Sequence, residues 1–179
     1  EVRPQPLGCV GIVTPWNYPI YLAVGPLTAA FAAGNRALVK MSEFTPSTAT
    51  VLAELARRYF TADELAIVEG DMPVAEAFTR LPFDHLLFTG STAVGHHVMR
   101  AAAEHLTPVT LELGGKSPAI VAPDYPLEKA ATRILAGKCL NAGQTCIAPD
   151  YLFVPAGQEQ AFAEAARRVV AKSYPDIAR

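Results

Sequence analysis

Apolar runs of strand length alternate with longer stretches of helical spacing through most of the chain. Cys9-Val-Gly-Ile-Val-Thr14 reads as a buried strand, and Ile20 to Ala33 as an apolar, buried helix closed by Gly34. Arg36 to Lys40 is the next strand. Thr45-Pro46 then marks a helix start, with threonine as cap, proline in the first turn, and Leu52, Leu55, Ala56 and Tyr59 on one face. Leu65–Glu69 and His85–Thr89 are two further strands, separated by a short helix after Pro73. A helix from about Ala93 to Glu104 follows, then strands near Val109–Leu113 and Pro118–Val121. Leu127 to Leu140 is helical and ends before Gly143, Tyr151–Val154 is a strand, and Gln158 to Lys172 is an amphipathic helix. No internal repeat or low-complexity segment interrupts the order.

Such alternation predicts an α/β fold: a mostly parallel sheet with helices on both faces. Ligands of these sheets collect beyond the carboxyl ends of the strands. Asn17, Lys40, Ser91 and Glu112 all lie at or just after predicted strand ends, which makes that edge the place to look for a site.

Bulk properties narrow the classes of function. The 179 residues are 51% hydrophobic with a net charge of -2, enough for a substantial core in one domain or slightly more. No basic cluster recommends nucleic acid or an anionic membrane as a binding partner, and the low charge opposes disorder. The chain begins at Glu1 rather than methionine and reads as a piece of something longer. From Leu7 to Asn35 it carries no charge, a length able to cross a bilayer. Pro15, Pro19 and Pro26 break that run, favouring a strand, a turn and a buried helix over a membrane span or a signal peptide. Cys9, Cys139 and Cys146 form no CxxC pair and propose neither a zinc cage nor a disulfide scaffold, so a reducing, cytoplasmic setting is expected. His85, His96, His97 and His105 lack the spacing of a metal site.

Several short stretches carry candidate chemistry, each with a plainer alternative. Phe88-Thr-Gly90-Ser-Thr-Ala-Val-Gly95 joins a strand to a helix and is either a pyrophosphate cradle or an ordinary turn, since the middle glycine of the dinucleotide fingerprint is absent. Lys40 and Glu43 either hold the hydroxyls of a ribose or form a solvated surface pair. Glu112, in an otherwise apolar strand followed by two glycines, is expected to be buried. There it is either a general base with a raised pKa or one end of a structural salt bridge. Asn17 in Pro15-Trp-Asn-Tyr-Pro19 is either an oxyanion donor or a turn asparagine. Cys9 and Cys139 read as core, whereas small and polar neighbours surround Cys146 in Asn141-Ala-Gly-Gln-Thr-Cys146.

Taken together, Pro-Trp-Asn17-Tyr-Pro, Lys40-x-Ser-Glu43, Phe-Thr-Gly90-Ser-Thr-x-x-Gly95, Leu-Glu112-Leu-Gly-Gly-Lys and Gly-Gln-Thr-Cys146 resemble the aldehyde dehydrogenase superfamily, in its motif order, from near Leu7 to Val154. Phe83-Asp-His-Leu-Leu-Phe-Thr-Gly-Ser-Thr92 and its neighbours resemble the class 3 branch, which includes fatty aldehyde and coniferyl aldehyde dehydrogenases, the coniferyl members most. The resemblance implies a Rossmann-like NAD(P)-binding domain over residues 1–112, its N-terminal part missing, and the beginning of an α/β catalytic domain over 113–179. It implies Cys146 as nucleophile, Asn17 and the Cys146 backbone N–H as oxyanion hole, and Glu112 as base. Lys40 and Glu43 would hold the adenosine ribose, Gly90, Ser91 and Gly95 would belong to the pyrophosphate motif, and Trp16 would line the same pocket.

The implied reaction is oxidation of an aldehyde, of coniferyl type, to the acid through a cysteine thiohemiacetal and thioester, in a parent protein that is a homodimer or larger homo-oligomer. NAD is the expected cofactor because Glu43 repels a 2′-phosphate, with NADP left open by Lys40. Met41 stands where the family commonly has proline. Two alternatives remain: an acylating, CoA- or phosphate-dependent relative, disfavoured by Glu112, and an inactive structural or binding homologue, disfavoured by the intact Cys146, Glu112 and Asn17 set.

Overall fold

A computed structural model describes Arg3 and residues 5–176 of the chain. It comprises two compact units, Glu1–Leu113 and Gly114–Arg179.

The first unit alternates β1 (Cys9–Val13), α1 (Pro19–Ala32), β2 (Arg36–Lys40), α2 (Pro46–Tyr59), β3 (Leu65–Val68), α3 (Met72–Thr79), β4 (His85–Thr89), α4 (Thr92–Ala103) and β5 (Val109–Glu112). Its five strands run in the order β3-β2-β1-β4-β5, all pairs parallel. The α/β fold class is as expected, and side-chain alternation divides its core in two. Val10, Ile12, Ala37 and Val39 meet Ala23 and Leu27 of α1 and Ala49 and Ala56 of α2. Val13, Leu38, Leu86 and Phe88 face the opposite side, with Phe78 of α3 and Val98 and Ala102 of α4. Helices therefore cover both faces.

Helix α1 ends as its sequence suggests. Gly34 adopts φ +82, while the amides of Gly34 and Asn35 return to the carbonyls of Phe31 and Ala30 at 2.9 Å each. Asn35 then ties the chain down: its Oδ1 accepts from the amides of Leu7 and Gly8 at 2.6 and 3.1 Å. Among the described residues no helix is long and apolar enough to cross a membrane.

Three expectations are corrected. Helix α1 is not fully buried: Ala23, Leu27 and Ala30 pack inward, while Ile20, Tyr21 and Val24 are exposed. Helix α2 buries a small-residue stripe of Ala49, Ala53 and Ala56, leaving Leu55 and Tyr59 outside. Both helices seat close to the sheet on alanines, so their large residues lie on the flanks. Thr45 occupies the cap position of α2 but caps no amide. Its hydroxyl donates to the Ser42 carbonyl at 3.3 Å instead, closing the preceding turn.

In the second unit β6 (Ser117–Ile120) pairs in parallel with β7 (Pro149–Phe153). Between them run α5 (Leu127–Cys139) and a short 3-10 turn (Leu140–Gly143), and α6 (Glu159–Ser173) follows. Buried Ala130, Ala131 and Ala165 form the small-residue packing positions of α5 and α6. Arg168 also donates to Glu128 at 2.7 Å, a pair exposed at both ends.

The central strand β1 contains Gly11 because no side chain fits there. A Cβ would approach Phe83 Cε2 at 2.6 Å and Leu86 Cδ1 at 2.9 Å, and the Phe83 ring is itself held against Phe78, centroids 5.0 Å apart. Gly11→Ala is therefore expected to destabilise the protein by about 1–3 kcal/mol through overpacking. Gly25→Ala, in a helix with nothing within 4 Å of the added carbon, is expected to stabilise by up to about 1 kcal/mol. Urea unfolding followed by circular dichroism separates the two signs.

Candidate active site

All five strands of the first sheet are parallel, so the loops after them emerge at one edge. The strand order reverses between β1 and β4, where a crevice opens in such sheets. The loop after β1 carries Trp16 and Asn17, and the loop after β4 carries Gly90 and Ser91, so these residues flank the reversal. Trp16 is exposed and Asn17 half-buried.

Beside Asn17 lies an open apolar hollow of about 550 Å³, rimmed by Tyr18, Ile20, Tyr21 and Val24. It exists because α1 turns its large residues outward. Nothing in the periodicity of an all-apolar helix announced which face that would be.

Lys40 ends β2 and is 1% exposed, which removes the solvated-pair reading. Its Nζ donates to the carbonyls of Met41 at 2.6 Å and Gly70 at 2.8 Å. Burial holds the ammonium below the ordinary lysine range, while the carboxylates of Glu43 and Asp71 partly offset that effect. Lys40 thus joins two βα loops, and one of its three N–H donors remains for a ligand. Glu43 is half-buried in the loop after β2. Met41, in the position of the family's usual proline, is 1% exposed and receives a contact from the Thr14 hydroxyl at 3.6 Å on sulfur.

Ser91 caps α4, its Oγ accepting from the Val94 amide at 3.3 Å. The remaining N–H groups of that first turn, with the helix dipole, suit an anion. Gly90 donates its amide to the Glu112 carbonyl at 3.0 Å, and the Phe88 ring fills the space of any side chain there. Gly95 faces inward: a Cβ would meet Leu113 Cδ2 at 3.1 Å. Its lack of a side chain lets α4 sit close to the sheet, the task of the last glycine in dinucleotide fingerprints.

Sequence reasoning missed a cavity between α3 and α4 of about 500 Å³, floored by Val13 and Phe88 and walled by Met72, Glu76, Val94 and His97. Its lining comes from two strands and two separate helices, so no single stretch of sequence carried its signal.

Glu112 corrects an expectation. It is the last residue of β5, the end strand of the sheet, and it is exposed rather than enclosed. The enclosure that an apolar strand suggested is therefore missing in this chain.

Cys146 belongs to the second unit and is exposed, in a turn where the Ala148 amide reaches the Thr145 carbonyl at 3.1 Å. Gly115 lies against it: a Cβ there would meet the Cys146 carbonyl oxygen at 3.1 Å. Just before it, Asn141, Ala142 and Gly143 take φ values of 50, 56 and 79, a left-handed run that is unfavourable for alanine. Cys139, at the end of α5, and Cys9, on β1, are half-buried. Burial, with Asp84 nearby, pushes the Cys9 thiol up against the opposing effect of Arg36, so it is not a ready thiolate.

The aldehyde dehydrogenase family model matches residues 1–174. The chain belongs to the aldehyde dehydrogenase family. It is 58% identical over 177 residues to the probable coniferyl aldehyde dehydrogenase of Pseudomonas aeruginosa, covering 99% of this chain and 37% of that protein. It is 50% identical over 173 residues to aldehyde dehydrogenase family 3 member A2 of Mus musculus, covering 97% of this chain and 36% of that one. The fold matches a mutant of aldehyde dehydrogenase C from Pseudomonas syringae, complexed with NAD+ and octanal. There the TM-score is 0.87 and the identity 32%, over 93% of this chain and 35% of that one. The motif resemblance, its class 3 branch included, agrees with these relatives. This aldehyde dehydrogenase chain spans little more than a third of their length.

Lys40→Met should leave the Met41 and Gly70 carbonyls without their donor. The expected cost is about 1–3 kcal/mol of stability, with faster amide hydrogen exchange in the loops after β2 and β3. Unchanged exchange there would show that the ammonium does not hold the two loops together.

Proposed function

We propose that the parent protein oxidises an aldehyde to its acid with NAD, using Cys146 as the nucleophile. The observation that carries this reading is the exposed Cys146 thiol at the end of the family's Gly-Gln-Thr-Cys motif. The adenosine ribose is assigned to Lys40 and Glu43 and the pyrophosphate to the first turn of α4 beyond Gly90 and Ser91. The adenine is assigned to the cavity between α3 and α4. These residues fit such a group on their own chemistry: one buried ammonium with a free donor, a capped helix N-terminus and a cavity with an apolar floor of Val13 and Phe88 lie along one sheet edge.

What NAD supplies when bound is an acceptor for hydride. The chain's own groups do the rest. In the parent protein the Cys146 thiolate would add to the aldehyde carbon, and the family resemblance assigns the donors of the resulting oxyanion to the Asn17 amide and the Cys146 backbone N–H. When that oxyanion collapses, hydride leaves carbon and a thioester to Cys146 remains. Glu112 removes a proton from water, which attacks the thioester, breaks the carbon–sulfur bond and releases the acid and the thiolate. A coniferyl-type substrate is favoured by the similarity to coniferyl aldehyde dehydrogenases, and the open apolar hollow rimmed by Tyr18, Ile20, Tyr21 and Val24 is compatible with an apolar aldehyde.

In the full-length protein, reduced cofactor formed from coniferyl, benzyl and long-chain aldehydes is the readout. Cys146→Ala is expected to abolish it while AMP binding persists. Asn17→Ala is expected to lower kcat about 10²–10³-fold, the usual consequence of losing one oxyanion donor. Glu112→Gln is expected to give a burst of about one turnover followed by slow release, because acyl-enzyme accumulates when its base is gone. Oxidation that survives in Cys146→Ala refutes the covalent route.

A further inference from the structure

Two acids from separate loops, Glu43 and Asp71, follow the two backbone carbonyls that hold one ammonium. Strands β2 and β3 are parallel neighbours, with Lys40 directly opposite Val68. Glu43 lies three residues beyond Lys40, and Asp71 three residues beyond Val68. The two acids therefore stand at equivalent positions beyond the ends of neighbouring strands. The Lys40 Nζ donates to the Gly70 carbonyl at 2.8 Å, which fixes the residue immediately before Asp71. Asp71 occupies the cap position of α3, yet its side chain caps no amide of that helix, and it is exposed. Its charge is felt at Lys40 alongside that of Glu43. The cavity walled by Met72 and Glu76 begins at the next residue.

We propose that Asp71 is a second specificity residue of the adenosine ribose site, acting with Glu43 to accept a free 2′-hydroxyl and refuse a 2′-phosphate. The inference rests on the assignment of the ribose to Lys40. A ribose hydroxyl donates to a carboxylate, so neutral sugar is welcome between the two acids. A 2′-phosphate is acceptor-only and doubly charged, and it meets two negative groups against one positive. Two of the three Lys40 N–H donors are already committed to carbonyls, leaving a single hydrogen to compensate it. The ordinary role of an aspartate at a helix start is to stabilise that helix. That role predicts an effect on unfolding and none on the choice between nucleotides.

The test uses the full-length protein and titration calorimetry with AMP and with adenosine 2′,5′-bisphosphate. Wild type is expected to bind AMP the more tightly. Asp71→Asn is expected to narrow that preference about five- to tenfold, with a smaller change in AMP affinity, and the effect should shrink as salt rises. Asp71→Ser, which retains a capping side chain, should narrow it likewise and guards against a folding defect. The proposal is overturned if both Asp71 variants keep the wild-type preference while Glu43→Gln narrows it. A different failure, in which wild type binds neither nucleotide or Lys40→Met leaves AMP affinity unchanged, overturns the ribose assignment itself and the proposal with it.

Discussion

An ammonium held out of water must find acceptors, because burying an unpaired charge is far more costly than any packing it permits. Lys40 finds them in the carbonyls of Met41 and Gly70. One side chain thereby joins the end of β2 to the loop after β3 and sets where α3 begins. Glu43 and Asp71 each follow a backbone carbonyl that Lys40 holds, Met41 in one loop and Gly70 in the other. The charge balance of the sheet edge follows from this arrangement.

The parallel register supplies the other half of the design. Each strand delivers its following loop to the same edge, and small residues bring the helices close enough to share that edge. Ala49, Ala53 and Ala56 do so for α2, and Gly95 does so for α4 against Leu113. Close seating displaces large apolar side chains to the flanks. There they shape a hollow beside Asn17 and a cavity between α3 and α4.

The placement of the candidate residues was legible in the sequence unevenly. The strand-to-helix turn at Gly90 and Ser91 and the small, polar surroundings of Cys146 were readable from local chemistry, because the preferences involved act over a few residues. Lys40 was readable only as one of two opposites, solvated or engaged, since its acceptor at Gly70 is thirty residues away. Glu112 was misread. An apolar strand implies burial only when something covers it, and β5 is the end strand of its sheet with Glu112 at its last position. Asp71 gave no local sign of any role, because its relation to Lys40 depends on β2 and β3 lying side by side.

Short-range rules wrote most of the element list: period, caps, prolines and the left-handed glycine after α1 all act within one or two turns of chain. They also placed the polar candidates at strand ends, because a parallel α/β arrangement has no other place for them. Which strand neighbours which, which face of α1 and α2 turns inward, and whether a given charge is buried all required the folded chain. Those outcomes depend on partners tens of residues apart, and a local pattern carries no information about a distant surface until the two have met.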